Sequence, residues 1–436
     1  MNKSVHWPNW LTTIILLLVL ALLFQHYLSL LATATAWPDR TDFAKFHQSA
    51  QQALAGKSPY LYTPENPQLY RDCGPLHTLG QPAEAKVAQD PAIDQPCLLP
   101  NFNLNPPPFV LVTLPLGFLD YQAALAVWFG LSSFGLVLSA WLLVFKAPLP
   151  EKFRTTNIFL GLTAALMLYY PTQANFQLGQ VTFLLLPTLI IAWLSLRQGR
   201  YRLAGALLGL AMATKLFLGL FLIGLILQRN FQAVKAALIA GLIFGAAALG
   251  LLGISSYFDF FEQLRQISWT ATSWNASIRG TVEKLTGTWH PETGNARVFV
   301  SQLLILLLSL VTLLAYFMKL HFSRSWEEQE CADLIFMLTL PAMLLLSPLG
   351  WMYYLPLLLI PGLCILRNRG KSSTQRFYAR ILILALFLAS ALPSELIAQQ
   401  YFDLEILYFA GGHQYFLAYL GGFLLSLWIL QPTQRD

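Results

Sequence analysis

Charge is what this sequence has least of. Only 11% of its 436 residues are Asp, Glu, Lys or Arg, and 56% are hydrophobic, whereas soluble domains carry about 25% charged residues. So few charges cannot dress a water-exposed globule, and a soluble fold is excluded. Cysteine is sparse, with four in the chain, and the seven histidines are scattered. No two histidines pair at helical spacing, so the sequence offers no metal-ligand set. It has no Walker-type glycine loop and no dinucleotide fingerprint. No cofactor is implied and ATP is not an obvious energy source, which favours a substrate already activated within the membrane. No short repeat or low-complexity tract breaks the chain, and residues 1–436 read as a single domain.

Long apolar runs are present instead. Runs of about 20 apolar residues read as transmembrane helices, and spans are predicted near 10–33, 121–145, 155–172, 181–196, 203–213, 216–228, 236–253, 298–318, 333–346, 352–366, 380–397 and 413–430. The expected fold is an all-α polytopic membrane protein with about twelve transmembrane helices. The first apolar run, Leu11 to Leu31, is too long for a signal-peptide core and reads as a retained span. Lys215 interrupts 203–228, which is read as two short helices, with a single tilted span as the alternative.

Basic clusters set the orientation. Lys146, Lys152 and Arg154, then Arg197, Arg200 and Arg202, then Arg367, Arg369, Lys371, Arg376 and Arg380 are placed on the cytoplasmic side. The formal charge of +6 therefore reports topology rather than nucleic-acid binding. Two large loops fall outside, at 34–105 and 254–297. The first holds Cys73 and Cys97. In an oxidising compartment they pair as a disulfide worth roughly 3 kcal/mol; two free thiols are the alternative. Between Asn105 and Leu119 a short apolar segment opens with three prolines, too short to cross and read as a re-entrant or interfacial helix.

Five places carry candidate chemistry. Asp42 opens an amphipathic segment just behind the first span, where a carboxylate serves either as a general base or as a helix N-cap; Asp39 is its neighbour and competitor. Lys215 lies deep in apolar sequence, either snorkelling to an interface or receiving a phosphate in a cavity. The polar turn Asn175-Phe176-Gln177-Leu178-Gly179-Gln180 offers amides to sugar hydroxyls or phosphate oxygens, or is an ordinary turn. Asn275 and Arg279 fall in the second loop, where Arg279 suits an anion. The turn Ser347-Pro348-Leu349-Gly350-Trp351-Met352-Tyr353-Tyr354 carries rings that either stack on a sugar or form an interfacial belt.

Together these segments resemble glycosyltransferase family 87, C-type membrane glycosyltransferases that use polyprenyl-phosphate sugars, usually mannose. The carrying stretches are Asp42-Phe43 with Leu54-Ala55-Gly56-Lys57-Ser58-Pro59-Tyr60, Asn105-Pro106-Pro107-Pro108-Phe109 with Leu114-Pro115-Leu116, Gln177-Leu178-Gly179-Gln180, Ala204-Gly205-Ala206 through Lys215-Leu216, Asn275-Ala276-Ser277-Ile278-Arg279-Gly280, and Ser347-Pro348 with Trp351. The resemblance covers about 40–360 and implies a C-type bundle in an inner (plasma) membrane, with its active site facing the periplasm or exterior. It implies inverting transfer of a hexose, usually mannose in that family, from a polyprenyl-phosphate donor to a glycolipid or lipid-linked glycan acceptor. Asp42 would be the base, Lys215 and then Arg279 the donor-phosphate cations, and Asn105, Gln177, Gln180, Asn275, Trp351 and Tyr354 the substrate contacts. Family members often have histidine after the Ser-Pro…Trp turn, where this chain has Tyr353 and Tyr354. A transporter or flippase of a lipid-linked saccharide, or a scaffold that has lost catalysis, is the competing reading.

Overall fold

A computed structural model describes residues 9–60, 103–265, 267, 270–288, 294–367, 373–393 and 412–429. Among these every named element is helical, and the isolated β-bridge joins Asn275 to Trp351. Cys73 and Cys97 lie outside the described residues, as does most of the first loop.

The chain opens with α1 (Asn9–Ala36) and α2 (Asp42–Leu54). Pro107–Thr113 forms α3, which tightens into a 3-10 turn over Leu114–Phe118. Next come α4 (Tyr121–Trp141), α5 (Thr156–Leu168), α6 (Tyr170–Leu178) and α7 (Thr182–Arg197). Then follow α8 (Tyr201–Thr214), α9 (Leu220–Leu227), α10 (Phe231–Leu252), α11 (Ser255–Arg265) and α12 (Ile278–Thr286). The last part holds α13 (Asn295–Phe322), α14 (Glu328–Leu346), a 3-10 segment over Met352–Leu358 that runs into α15 (Leu359–Arg367), α16 (Ser373–Ser390) and α17 (His413–Ile429).

Five of the described helices are long and apolar enough to cross a membrane, α1, α4 (extended through Lys146), α10, α13 and α14, or six if the bent pair α6–α7 is one span. This is fewer than the twelve expected. The other apolar runs are shorter helices, including 107–118, 156–168, 201–214, 216–227 and 352–367. Lys215 does stop a helix: α8 ends at Thr214 and Lys215 is extended, with φ −143° and ψ 107°.

Exposure sorts the long helices by role. α1 and α13 turn residues such as Leu22, Leu306 and Val311 outward, whereas α14 is sheathed from Ala332 to Leu345. An exposed row of leucines is what a lipid-facing helix shows; a helix buried all round belongs at the bundle centre. α8 and α10 pack backbone to backbone: a Cβ on Gly205 would come within 2.1 Å of the Ala233 carbonyl oxygen. Such small-residue contacts replace the hydrophobic effect, which does not drive helices together in lipid.

A buried ion cluster ties the ends of α7, α14 and α15. Asp333 accepts hydrogen bonds from Arg197 and Arg367 on one oxygen and from Trp193 Nε1 at 2.8 Å on the other. At its C-terminal end α2 docks on α11 through hydrogen bonds from Ser58 to Asp259 and from Gln263 to the Tyr60 carbonyl.

Candidate active site

The site is built around the first turn of α2. Phe43, Ala44, Phe46, His47 and Ala50 are buried on this helix, at the i, i+3, i+4 and i+7 spacing of an amphipathic face. Thr41 caps the helix, its hydroxyl accepting from the Ala44 amide at 3.2 Å. The capping alternative for Asp42 is thereby taken by its neighbour, and the Asp42 carboxylate is left for other partners. The Thr41 hydroxyl also lies 2.9 Å from the Tyr121 hydroxyl, and His47 Nε2 lies 2.9 Å from the Leu119 carbonyl oxygen.

The elbow between α6 and α7 meets this turn. The two helices are bent by 119°, and Gly179 makes the bend with φ +68°. A Cβ there would sit 2.6 Å from Phe43 Cβ, so the elbow presses on α2 with no room between. Trp128 Nε1 donates to the Gly179 carbonyl at 2.8 Å and pins the elbow from the other side. The next residue, Gln180, donates from Nε2 to Asp42 Oδ2. Lys45, one turn along α2, holds the other oxygen, with Nζ 2.6 Å from Asp42 Oδ1.

Lys215 completes the group. It lies close enough to Asp42 and Lys45 to feel both charges, and its ammonium stands 5.6 Å from the centroid of the Tyr354 ring, within cation–π range. Among the described residues no carboxylate forms an ion pair with Lys215. Tyr353 and Tyr354 meet edge to face, 4.8 Å between ring centroids, and both lie within reach of the Asp42 charge. Their segment is fastened to the elbow by Thr182 Oγ1, which donates to the Tyr353 carbonyl at 2.9 Å. Asp42, Gln180, Lys215 and Tyr354, spread over 312 positions (354 − 42), are thus brought into one place.

Other candidates stand elsewhere. Arg279 is exposed on α12 and pairs with Glu283 at 2.8 Å. Asn105 is buried near the far end of α2, where its amide donates to Asn103 and its carbonyl accepts from the Tyr60 hydroxyl. Asn275 is wholly buried and spends its side chain on backbone: Nδ2 donates to the carbonyls of Thr270 and Pro348, and Oδ1 accepts from the amides of Ser277 and Gly350. That is the position of a joint between the second loop and the Ser347–Tyr354 turn. Trp351 pairs with Asn275 through its backbone while its ring stacks on Tyr353, 6.1 Å between centroids. Gln177 is half-buried on the last turn of α6. The structure also adds Lys45, which a pairing rule for residues three apart on a helix would have found.

The match to a family model settles what kind of protein carries this arrangement. The model for glycosyltransferase family 87 matches residues 103–348, more than half of the 436 residues. The chain belongs to glycosyltransferase family 87. No curated protein and no solved structure matches it significantly. The family 87 match contains Gln180, Lys215 and the α6–α7 elbow, and it leaves α2 with Asp42 and Lys45 on its N-terminal side and Tyr353 and Tyr354 on its C-terminal side. Family 87 membership together with the long apolar helices makes this a membrane glycosyltransferase.

Proposed function

We propose that this family 87 protein transfers a hexose, mannose in the first instance, from a polyprenyl-phosphate donor to a glycolipid or lipid-linked glycan on the extracytoplasmic side of an inner (plasma) membrane. The observation that carries the proposal is the carboxylate of Asp42 gripped by Gln180 and Lys45, with Lys215 beside it. Each carboxylate oxygen has two acceptor directions. One direction on each is occupied, so each retains one for an incoming hydroxyl.

In the proposed reaction the acceptor O–H gives its proton to Asp42 as its oxygen forms a bond to the anomeric carbon. The bond from that carbon to the phosphate oxygen breaks, and polyprenyl phosphate leaves with the electron pair. One base and one in-line displacement invert the anomeric centre, as a base-activated nucleophile does in inverting glycosidases. Lys215 is the cation for the leaving phosphate. Among the described residues no carboxylate pairs with it, unlike Arg279, which is already paired. The Tyr354 ring beneath Lys215 takes the place of a charged side chain after the turn, so it holds the ammonium without repelling it.

The test is transfer from radiolabelled polyprenyl-phosphate mannose to a lipid extract in proteoliposomes containing the full chain. Asp42→Asn is expected to lower the rate by ~10²–10⁴, the usual contribution of positioned proton transfer. Turnover equal to wild type would remove Asp42 from the mechanism, and transfer from a nucleotide sugar alone would overturn the donor class.

A further inference from the structure

Buried polar atoms without partners are uncommon in proteins, and each calls for an explanation such as a bound water, ion or ligand. Four of the eight such atoms among the described residues lie on α6 and its elbow. The Thr172 hydroxyl, both polar atoms of the Asn175 amide, and Gln180 Oε1 have no hydrogen-bond partner among the described residues. Thr172 and Asn175 are completely buried and Gln180 is 4% exposed. Thr172, Asn175 and Gly179 follow one another at i, i+3 and i+7, one stripe of a helix. The stripe's direction is fixed at its end, where Gly179 touches Phe43 of α2 and Gln180 touches Asp42. At 1.5 Å per residue Asn175 lies ~6 Å and Thr172 ~10 Å up the helix axis from that contact.

The chemistry of the stripe narrows the ligand. It presents an amide donor, two amide oxygens and a hydroxyl, all neutral and of both hydrogen-bonding polarities. A phosphate accepts only and would be served by cations, and an apolar chain would leave every one of these groups unpaired. A polyol, whose hydroxyls each donate and accept, satisfies the set. We propose that Thr172, Asn175 and Gln180 Oε1 bind the hydroxyl groups of the transferred hexose, as a neutral sugar subsite set apart from the phosphate subsite at Lys215. The proposal rests on the donor reading given above and assigns Thr172 and Asn175 to specificity.

The experiment measures binding of two lipids to the detergent-solubilised full chain by titration calorimetry: polyprenyl-phosphate mannose and bare polyprenyl phosphate. Wild type is expected to bind the mannosylated lipid about tenfold or more tightly, the worth of one or two satisfied hydrogen bonds. The shape-preserving variants Asn175→Leu and Thr172→Val are expected to erase that gap while keeping wild-type affinity for bare polyprenyl phosphate. Their thermal midpoints should hold or rise, because an unpaired buried group has been replaced by an apolar one. A gap that survives in both variants, or is absent from wild type that binds both lipids, overturns the sugar subsite alone. Failure of wild type to bind either lipid overturns the donor reading with it. Should Asn175→Leu not fold, Thr172→Val decides the matter.

Discussion

Gly179→Ala tests whether the elbow positions Asp42, the proposed base. The substitution carries two separable costs. Gly179 has φ +68°, a left-handed conformation that costs an L-residue roughly 1–2 kcal/mol. The new methyl would also stand 2.6 Å from Phe43 Cβ, against the ~3.5–4.0 Å of an ordinary carbon–carbon contact. The offending atom is the first carbon of the side chain, so no rotamer change relieves it, and the elbow is pinned behind by Trp128. α2 must therefore retreat by about 1 Å, at an overpacking cost of ~1–3 kcal/mol. The total is ~2–5 kcal/mol of stability, and a misplacement of that size at a base is worth ~10²-fold in rate. Gly199→Ala is the control. It has φ +69° but nothing within 4 Å of its would-be Cβ, so it should lose only the ~1–2 kcal/mol of backbone strain and keep its transfer rate. Thermal unfolding and single-turnover sugar transfer on both variants separate the costs. Equal activity in the two, with Gly179→Ala as active as wild type, would refute the claim that the elbow holds Asp42 in place.

Other outcomes follow from the same geometry. Lys215→Met should lower transfer by ~10²–10³ with little change in melting, because the ammonium has no carboxylate partner to lose; rates and thermal midpoints compared across pH 6–8 check it. Asp333→Asn should destabilise the chain by up to ~3–5 kcal/mol, since it leaves the nearly buried Arg197 and the partly exposed Arg367 without a counter-charge; unfolding in denaturant reads this directly. Lys284, in the loop helix α12, is pushed by burial from 10.5 down to about 8. Between those two values the unfolded chain holds more protons than the folded one, so stability should rise with pH across about 8 to 10.5. The rise amounts to ~3 kcal/mol (2.5 × 1.36) and is complete at the upper end. Lys284→Met should flatten that slope in pH-dependent unfolding.

Where the site's signals were local, the sequence carried them. Asp42 stands out because a polar helix starts directly behind an apolar run, and Lys215 because it interrupts one. Both ended in the same group. Gln180 was readable as an amide beside a turn glycine, though not which carboxylate it would meet 138 positions away. The partners of Asn275 were hidden for the same reason: Pro348 and Gly350 lie more than 70 residues on, so nothing nearby tells a joint from a ligand contact. The ion pair of Arg279 was readable at once, because Glu283 stands four residues later on a helix. Asp333, an acid in an apolar run, carries the same kind of signal as Lys215. The number of spans exceeded the long helices because hydropathy counts apolar residues and does not see where a proline or a lysine ends a helix.

α2 joins two things usually kept apart. Its thirteen residues form a stiff rod ~20 Å long, with Asp42 at one tip and, beyond the other, the Ser58–Tyr60 stretch tied to α11. Because one end of this rod is anchored to α11 and the other carries Asp42, a displacement of that anchorage would shift the carboxylate with it.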